Sequence, residues 1–315
     1  MSSTLALYPL NFGFGYAVKD SGENGQKLTT GNGLEPGTKS ANKIAILNFD
    51  DGWKNHYQYV KPILDRYNIK ATFYIVCNYV DGDNNNPEGK RMNWNQILDL
   101  QKDRMEIGSH TMNHIDLEGL PNKEIDYEIG QSKQCLKSHG INASTFAYPF
   151  SSGTDNEYII NTIAKYYDLG RSGGDTLMFL HCDGWKDKSP QKDCRTTDEG
   201  GKINYVTRYS LLRWAHQNDR GATDDDILNN FIQFVNSQTA YNPIKADTPG
   251  GTENILAVPI IVYHNIDPSS SEGKLTTNVG LFEREMRYLH DNGFKTVTMA
   301  DIGYNQSSNY LYIKK

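Results

Sequence analysis

Seven short apolar runs punctuate this chain, at residues 43–49, 70–76, 105–109, 144–148, 167–170, 258–263 and 295–298. Between most of them lie stretches with helical periodicity, at 57–67, 94–101, 123–138, 157–166 and 281–292. Strands that alternate with helices cannot pair through tight hairpins, so they pair in parallel and the helices cover the sheet. The class is therefore α/β, and the expected architecture is a distorted (β/α) barrel of about seven parallel strands. At 315 residues the chain has room for one large barrel or two small domains, and it can bury a sizeable core.

The pattern lapses in three places. Residues 1–40 are glycine-rich and polar with little periodicity, and are expected to form an irregular arm rather than a domain. Within the barrel region, 41–315, the stretches near 172–205 and 239–256 are dense in Gly, Asp, Lys and Thr and are expected to be loop insertions. Between them, residues 224–237 form an amphipathic helix headed by Asp224, Asp225 and Asp226, which suit the positive end of its dipole. A calcium loop would need the EF-hand spacing, which is absent.

In parallel barrels the chemistry collects at the C-terminal ends of the strands, and there the sequence is most specific. The first run ends in Asn48-Phe49-Asp50-Asp51-Gly52. Successive strand side chains point to opposite sides, so Asp50 and Asp51 are expected to diverge, one binding a cation while the other takes a proton from water. The third run ends at His110-Thr111-Met112-Asn113-His114. Four residues apart in a first helical turn, two imidazoles share a face and reach one metal. Thr111 stands where a zinc protease would carry its glutamate base, so the base comes from elsewhere, and Asp50 is the candidate. Alone, Asp-Asp-Gly is usually a turn, and a spaced histidine pair is usually structural. Their joint occurrence, in this order and each after a strand, points to metal-assisted hydrolysis.

At this point the chain resembles the polysaccharide deacetylases of the NodB-homology type, carbohydrate esterase family 4. The family's Thr-Phe-Asp-Asp-Gly motif appears as Asn48 to Gly52, and its His-Ser/Thr-x-x-His motif as His110 to His114. A third motif matches Phe146-Ala147-Tyr148-Pro149-Phe150 and a last one Ile260-Ile261-Val262-Tyr263-His264, with order and spacing kept over roughly residues 43–303. The resemblance implies a NodB-type barrel in which Asp51, His110 and His114 bind the metal, Asp50 is the general base and His264 the general acid. It also implies removal of N-acetyl groups from a glycan built of N-acetylglucosamine, with the Phe150 backbone N–H helping to hold the oxyanion. An amide needs a proton delivered to its leaving nitrogen, and histidine is the usual donor near neutrality. Loops and aromatic residues around Tyr148, Pro149 and Phe150 are expected to line a groove for a polymer.

Two positions depart from the family. Ala147 stands where many members have an arginine that holds the catalytic aspartate; this form is similar to the poly-N-acetylglucosamine deacetylase branch. Arg171, at the end of the fifth run, emerges at the same end of the barrel as Asp50 and is the expected replacement, with Arg208 as the second candidate. The family's fourth motif, an aspartate and a tryptophan beside the acid histidine, has no clean match, although Asp183-Gly184-Trp185 is one candidate.

The expected cofactor is a divalent cation, zinc by default for an Asp-His-His set, with nickel and cobalt as alternatives. The net charge of −6 and the lack of a basic stripe argue against nucleic acid, and the resemblance implies a glycan as the partner. No run approaches the roughly 18 apolar residues of a membrane span. The first residues lack the basic and apolar regions of a secretion signal, so an extracellular or cell-envelope location rests on the resemblance. Cys77 reads as a small core hydrophobe and Cys182 with Cys194 as a candidate disulfide. Other enzymatic readings are an amidohydrolase acting on peptidoglycan or on small cyclic amides. From another class comes a carbohydrate-binding protein that keeps the metal but has lost turnover. A carboxylate-only glycosidase leaves the histidine pair unexplained.

Overall fold

The computed structural model describes residues 43–82, 90–173, 178–179, 206–237, 257–269, 273–305 and 310–314. Its main sheet has the strands β1 (Ile44–Phe49), β2 (Thr72–Ile75), β3 (Glu106–Ser109), β4 (Thr145–Ala147), β5 (Leu169–Arg171), β6 (Trp214–Ala215), β7 (Ile260–Tyr263) and β8 (Lys295–Val297). The seven apolar runs supply all of these except β6. Every pairing is parallel, in the order β5-β4-β3-β2-β1-β7-β6, with β8 added beside β1.

Leu211 closes this sheet. It bridges in parallel to Arg171, with the Ser172 N–H donating to its carbonyl at 2.9 Å and its own N–H donating to the Gly170 carbonyl at 2.8 Å. Segment 211–215 therefore spans from β5 to β7 and completes a barrel. The ring is distorted where the edge of β1 is shared: Ile44 to Ile46 pair with β8, whereas Asn48 and Phe49 pair with β2.

The two-residue period of β1 divides the core. Ala45, Leu47 and Phe49 join the large cluster formed with the helices. Ile44 and Ile46 join a smaller cluster with Tyr74, Ala147, Leu169, Ile260 and Val297, drawn from strands all round the ring. This second cluster fills the barrel, and Asp50 continues its side of the strand.

The covering helices include α1 (Lys61–Arg66), α2 (Trp94–Lys102), α3 (Asn122–Asp126), α4 (Ser132–Ser138), α5 (Glu157–Tyr166), α6 (Val206–Tyr209), α7 (Asp224–Asn236) and α8 (Val279–Asp291). Helix α7 starts at a capping box in which Thr223 and Asp226 satisfy each other's backbone N–H groups. The cap is thus Thr223, and the three acids fill the first turn. The expected continuous helix over 123–138 is interrupted by a π-turn, Tyr127–Gln131, between α3 and α4. A second π-turn, His56–Val60, precedes α1. Such turns redirect one side chain out of helical register and are common beside functional sites.

Cys77 is not a free core thiol. It forms a disulfide with Cys135 across 58 residues, joining the turn after β2 to α4. The expected arm at 1–40, the Cys182 and Cys194 pair, the Asp183-Gly184-Trp185 segment and most of the two insertions lie outside the described residues.

Phe49 packs the last turn of β1 before the acids. Its ring stacks on Phe73 at 4.9 Å and Tyr263 at 5.4 Å and meets Phe282 edge-on at 5.8 Å. Phe49→Ala should cost about 3–5 kcal/mol, measured as a lower midpoint in urea unfolding with an unchanged m value; an unchanged midpoint would contradict this packing.

Candidate active site

The two acids leave β1 in different ways. Asp50 keeps the strand direction, its N–H donating to the Tyr263 carbonyl at 2.9 Å. Asp51 and Gly52 then take left-handed backbone angles, φ 71° and 65°, so the chain turns back and the two carboxylates separate. One Nη2 atom of Arg171 lies 2.7 Å from both Asp50 oxygens. Arg171 is 1% exposed, and its guanidinium packs over the Tyr74 ring. The arginine that meets Asp50 is thus on β5. Arg208 instead lies against the rings of Tyr209 and Tyr304.

Asp51 is held from one side only. The Trp53 indole donates to its Oδ2 at 3.2 Å and Arg91 donates to its carbonyl at 3.0 Å; the Arg91 guanidinium stacks on the Trp53 ring at 3.6 Å. Its other oxygen, Oδ1, is buried without a hydrogen-bond partner among the described residues. Facing that oxygen are His110 Nε2 at 3.5 Å and His114 Nε2 at 3.2 Å. The proton on His110 sits on Nδ1, which donates to the Ala147 carbonyl at 2.8 Å; a carbonyl can only accept, so Nε2 turns a lone pair toward Asp51.

The loop carrying the histidines is not the helical turn expected from their spacing. Thr111 and His114 have φ of 70° and 55°, and residues 110–114 have no helical assignment. The loop is shaped from outside. Buried Glu128, on the Tyr127–Gln131 π-turn, accepts from the N–H groups of Met112 and Asn113 at 3.0 and 2.9 Å and from the Asn113 side chain at 2.6 Å. The Thr111 hydroxyl accepts from the His114 N–H at 2.9 Å. Nothing local in the sequence marks Glu128, Trp53 or Arg91 for these tasks.

His264, just past β7, brings Nε2 to 3.9 Å from Asp50 Oδ2. Its Nδ1 has no partner among the described residues. Of the three expected groove residues, only Phe150 presents a side chain to solvent, at 66% exposure, with its ring edge-on to His114 at 4.7 Å. Tyr148 and Pro149 are buried. The Tyr148 ring points into the helix-facing core against Phe146, because strand alternation leaves Ala147 on the barrel side.

Burial alone raises the Asp50 carboxyl, but Arg171, followed by His110 and His264, outweighs it and holds the group well below the usual carboxylate range. Asp51 is raised by burial and lowered more strongly by His264, His110 and His114. Burial pushes His110 down to about 4 against the opposing pull of Asp50. Burial likewise lowers His264. Asp51, His110 and His114 form the one group with metal-binding spacing among the described residues, their ligand atoms lying within 4.8 Å of one another. An unpaired anionic oxygen facing an imidazole lone pair is repulsive unless a cation lies between them, so this donor set fits a divalent metal.

Residues 37–168 match the family model for polysaccharide deacetylase. The chain is 26% identical over 133 residues to YxkH of Bacillus subtilis, provisionally named a polysaccharide deacetylase, covering 42% of this chain and 45% of that protein. It is 28% identical over 139 residues to a bifunctional xylanase/deacetylase of Pseudobutyrivibrio xylanivorans, covering 42% of this chain and 21% of that one. The chain thus spans less than half of either relative. Among solved structures, the Xyl-CE4 domain of a multidomain xylanase from the hindgut metagenome of Trinervitermes trinervoides aligns with TM-score 0.47 and 18% identity, over 82% of this chain and 88% of that one. A family 4 carbohydrate esterase from Streptomyces lividans aligns with TM-score 0.47 and 14% identity, over 88% and 100%.

The buried imidazoles make stability depend on pH. His56 and His110 have folded pKa values of about 4 against an ordinary 6.5. Between those values the unfolded chain binds more protons than the fold, so stability rises with pH there and is lost as pH falls through the window. In excess chelator, Tm measured by calorimetry should decline from about pH 6.5 to about pH 4. The decline should be shallower in His56→Gln, and equal slopes would contradict the buried neutral state of His56.

Proposed function

We propose that this chain, whose residues 37–168 match the polysaccharide deacetylase family model, is a metal-dependent hydrolase removing N-acetyl groups from an N-acetylglucosamine-containing polysaccharide. The observation that carries this reading is the placement of an arginine-held carboxylate, Asp50, beside the Asp51, His110 and His114 cluster, with His264 on its other side at 3.9 Å. Such a site has a place for a cation, a base and an acid around one reacting centre.

Asp51, His110 and His114 would hold the cation, zinc by default and nickel or cobalt as alternatives. When bound, it supplies Lewis-acid polarisation of the acetyl carbonyl and makes the attacking water more acidic. The protein groups do the rest. Asp50, ionised and fixed by Arg171, accepts the proton of the attacking water. The Phe150 backbone N–H donates to the oxyanion, and His264 Nε2 gives a proton to the departing amine. The exposed Phe150 ring offers a face for a sugar of the polymer. The Arg171 contact favours turnover over a binding protein that has lost it, because the role left open by Ala147 is filled from β5.

We place the activity outside the cell or at the envelope, where a disulfide such as that of Cys77 and Cys135 persists. No helix among the described residues is long and apolar enough to cross a membrane.

Acetate release from chitooligosaccharides of increasing length tests the reading. Activity should rise with length, disappear with chelator and return with added zinc, nickel or cobalt. A preference for cyclic ureides or for peptidoglycan would move the substrate assignment elsewhere. The roles separate by variant. His114→Ala should lose most of its bound metal by elemental analysis, and full stoichiometry would remove it from the ligand set. Asp50→Asn and His264→Ala should keep the metal and lose about 10²–10⁴-fold in kcat; loss of metal from either would require the roles to be exchanged.

A further inference from the structure

His264 has the task of delivering a proton to one atom, yet nothing among the described residues hydrogen-bonds its ring Nδ1. Its main chain, by contrast, is held from an unexpected direction. Shortly after the Asp50-Asp51-Gly52 turn, His56 places Nε2 2.5 Å from the His264 carbonyl oxygen. Since that oxygen only accepts, Nε2 is the protonated nitrogen and donates. The preceding residue holds the next ones: Asn55 Nδ2 lies 3.0 Å from Asn265 Oδ1 and 3.0 Å from Asp267 Oδ2.

We infer that Asn55 and His56 are positioning residues for the proposed proton donor, clamping the His264 to Asp267 segment against the loop that carries Asp50 and Asp51. This rests on the role given to His264 above. The clamp is well anchored. His56 is fully buried, its ring edge-on to Phe49 at 5.3 Å and tilted against Phe73 at 5.9 Å. It begins the π-turn that redirects the chain ahead of α1. Burial lowers its pKa to about 4, so it stays a neutral donor at working pH. The far side of the segment is fixed separately, since Asn265 to Asp267 pair in parallel with Thr276 to Asn278. Asn55 and His56 supply the near side, across more than 200 residues of chain. They lie on the same loop as the base, so the clamp sets the distance between base and acid without touching substrate.

The test uses the metal-loaded full chain, with chitooligosaccharide as substrate. His56→Leu leaves the carbonyl unpaired, whereas His56→Gln returns an amide donor near the position of Nε2. For His56→Leu the expected result is a fall in kcat of about 10- to 100-fold, the scale of a misplaced catalytic group, with KM and bound metal unchanged. His56→Gln should recover most of that loss, and Asn55→Ala should show a smaller fall of the same kind. Acting only through His264, the His56→Leu change should add nothing to His264→Ala in the double variant. Unchanged kcat in His56→Leu beside an inactive His264→Ala would overturn this inference alone, as would additive losses or loss of metal. Wild-type activity in His264→Ala would overturn the proton-donor role itself. If His56→Leu does not fold, the kcat and metal content of His56→Gln and Asn55→Ala decide: normal kcat in Asn55→Ala overturns the clamp, and a lowered kcat with metal retained supports it.

Discussion

A carboxylate enclosed by a protein stays ionised only where hydrogen-bond donors or a positive charge replace its lost hydration, and for Asp50 the Arg171 guanidinium supplies both. Asp50 ends the side of β1 that faces the barrel interior, where Ile44 and Ile46 precede it. Without a cation the cost of burial would protonate it. Arg171 comes from β5, across the ring, and the same residue bridges to Leu211, where the sheet closes. One position therefore completes the barrel and charges its mouth. Removing either partner would leave an uncompensated buried charge, which typically costs about 3–5 kcal/mol. The pair ties the fold to the site, and an exposed ion pair could not do so.

Around that pair, polar side chains on irregular turns hold the segments that carry the histidines of the candidate site. Glu128 and His56 both sit on π-turns, both are buried, and both bond the backbone of a distant loop. A regular helix places every side chain in fixed register, so a buried polar group aimed at a neighbouring loop often needs such a break. The two loops are held differently. The histidine loop offers N–H groups and is met by a carboxylate, whereas the acid segment offers a carbonyl and is met by a neutral imidazole N–H.

Much of this was legible in the sequence because strands and their ends carry strong signals. All seven apolar runs form strands, and Asp50, Asp51, His110, His114, Arg171 and His264 gather at one end of them. The rest depends on contacts between distant residues. Strand β6 is two residues long, too short for any periodic signal. His110 and His114 are spaced as on a helix, but the shape of their loop is imposed by Glu128, which local spacing cannot reveal. The partner of Cys77 lies on another element, and connectivity does not follow from cysteine spacing. Tyr148 and Pro149 look like groove residues in a motif, yet strand alternation turns Tyr148 inward and leaves Phe150 as the exposed member.

The low pKa of Asp50 constrains the proposed chemistry in turn. A carboxylate held so far below its usual range is a weak base toward ordinary water, because proton transfer to it runs uphill. It serves as a base only where the proton donor has been made more acidic, as water is beside a divalent cation. The cluster of Asp51, His110 and His114 meets that condition at short range. Conversely, a cation there would draw Asp50 toward itself as a further ligand unless something else held it, and Arg171 does so through both carboxylate oxygens. The arginine lowers the basicity of Asp50 and also keeps it out of the ligand set. The depressed pKa, the divided acids and the unpaired Asp51 oxygen are thus three aspects of one arrangement, in which the proposed base and the proposed metal cluster would each require the other.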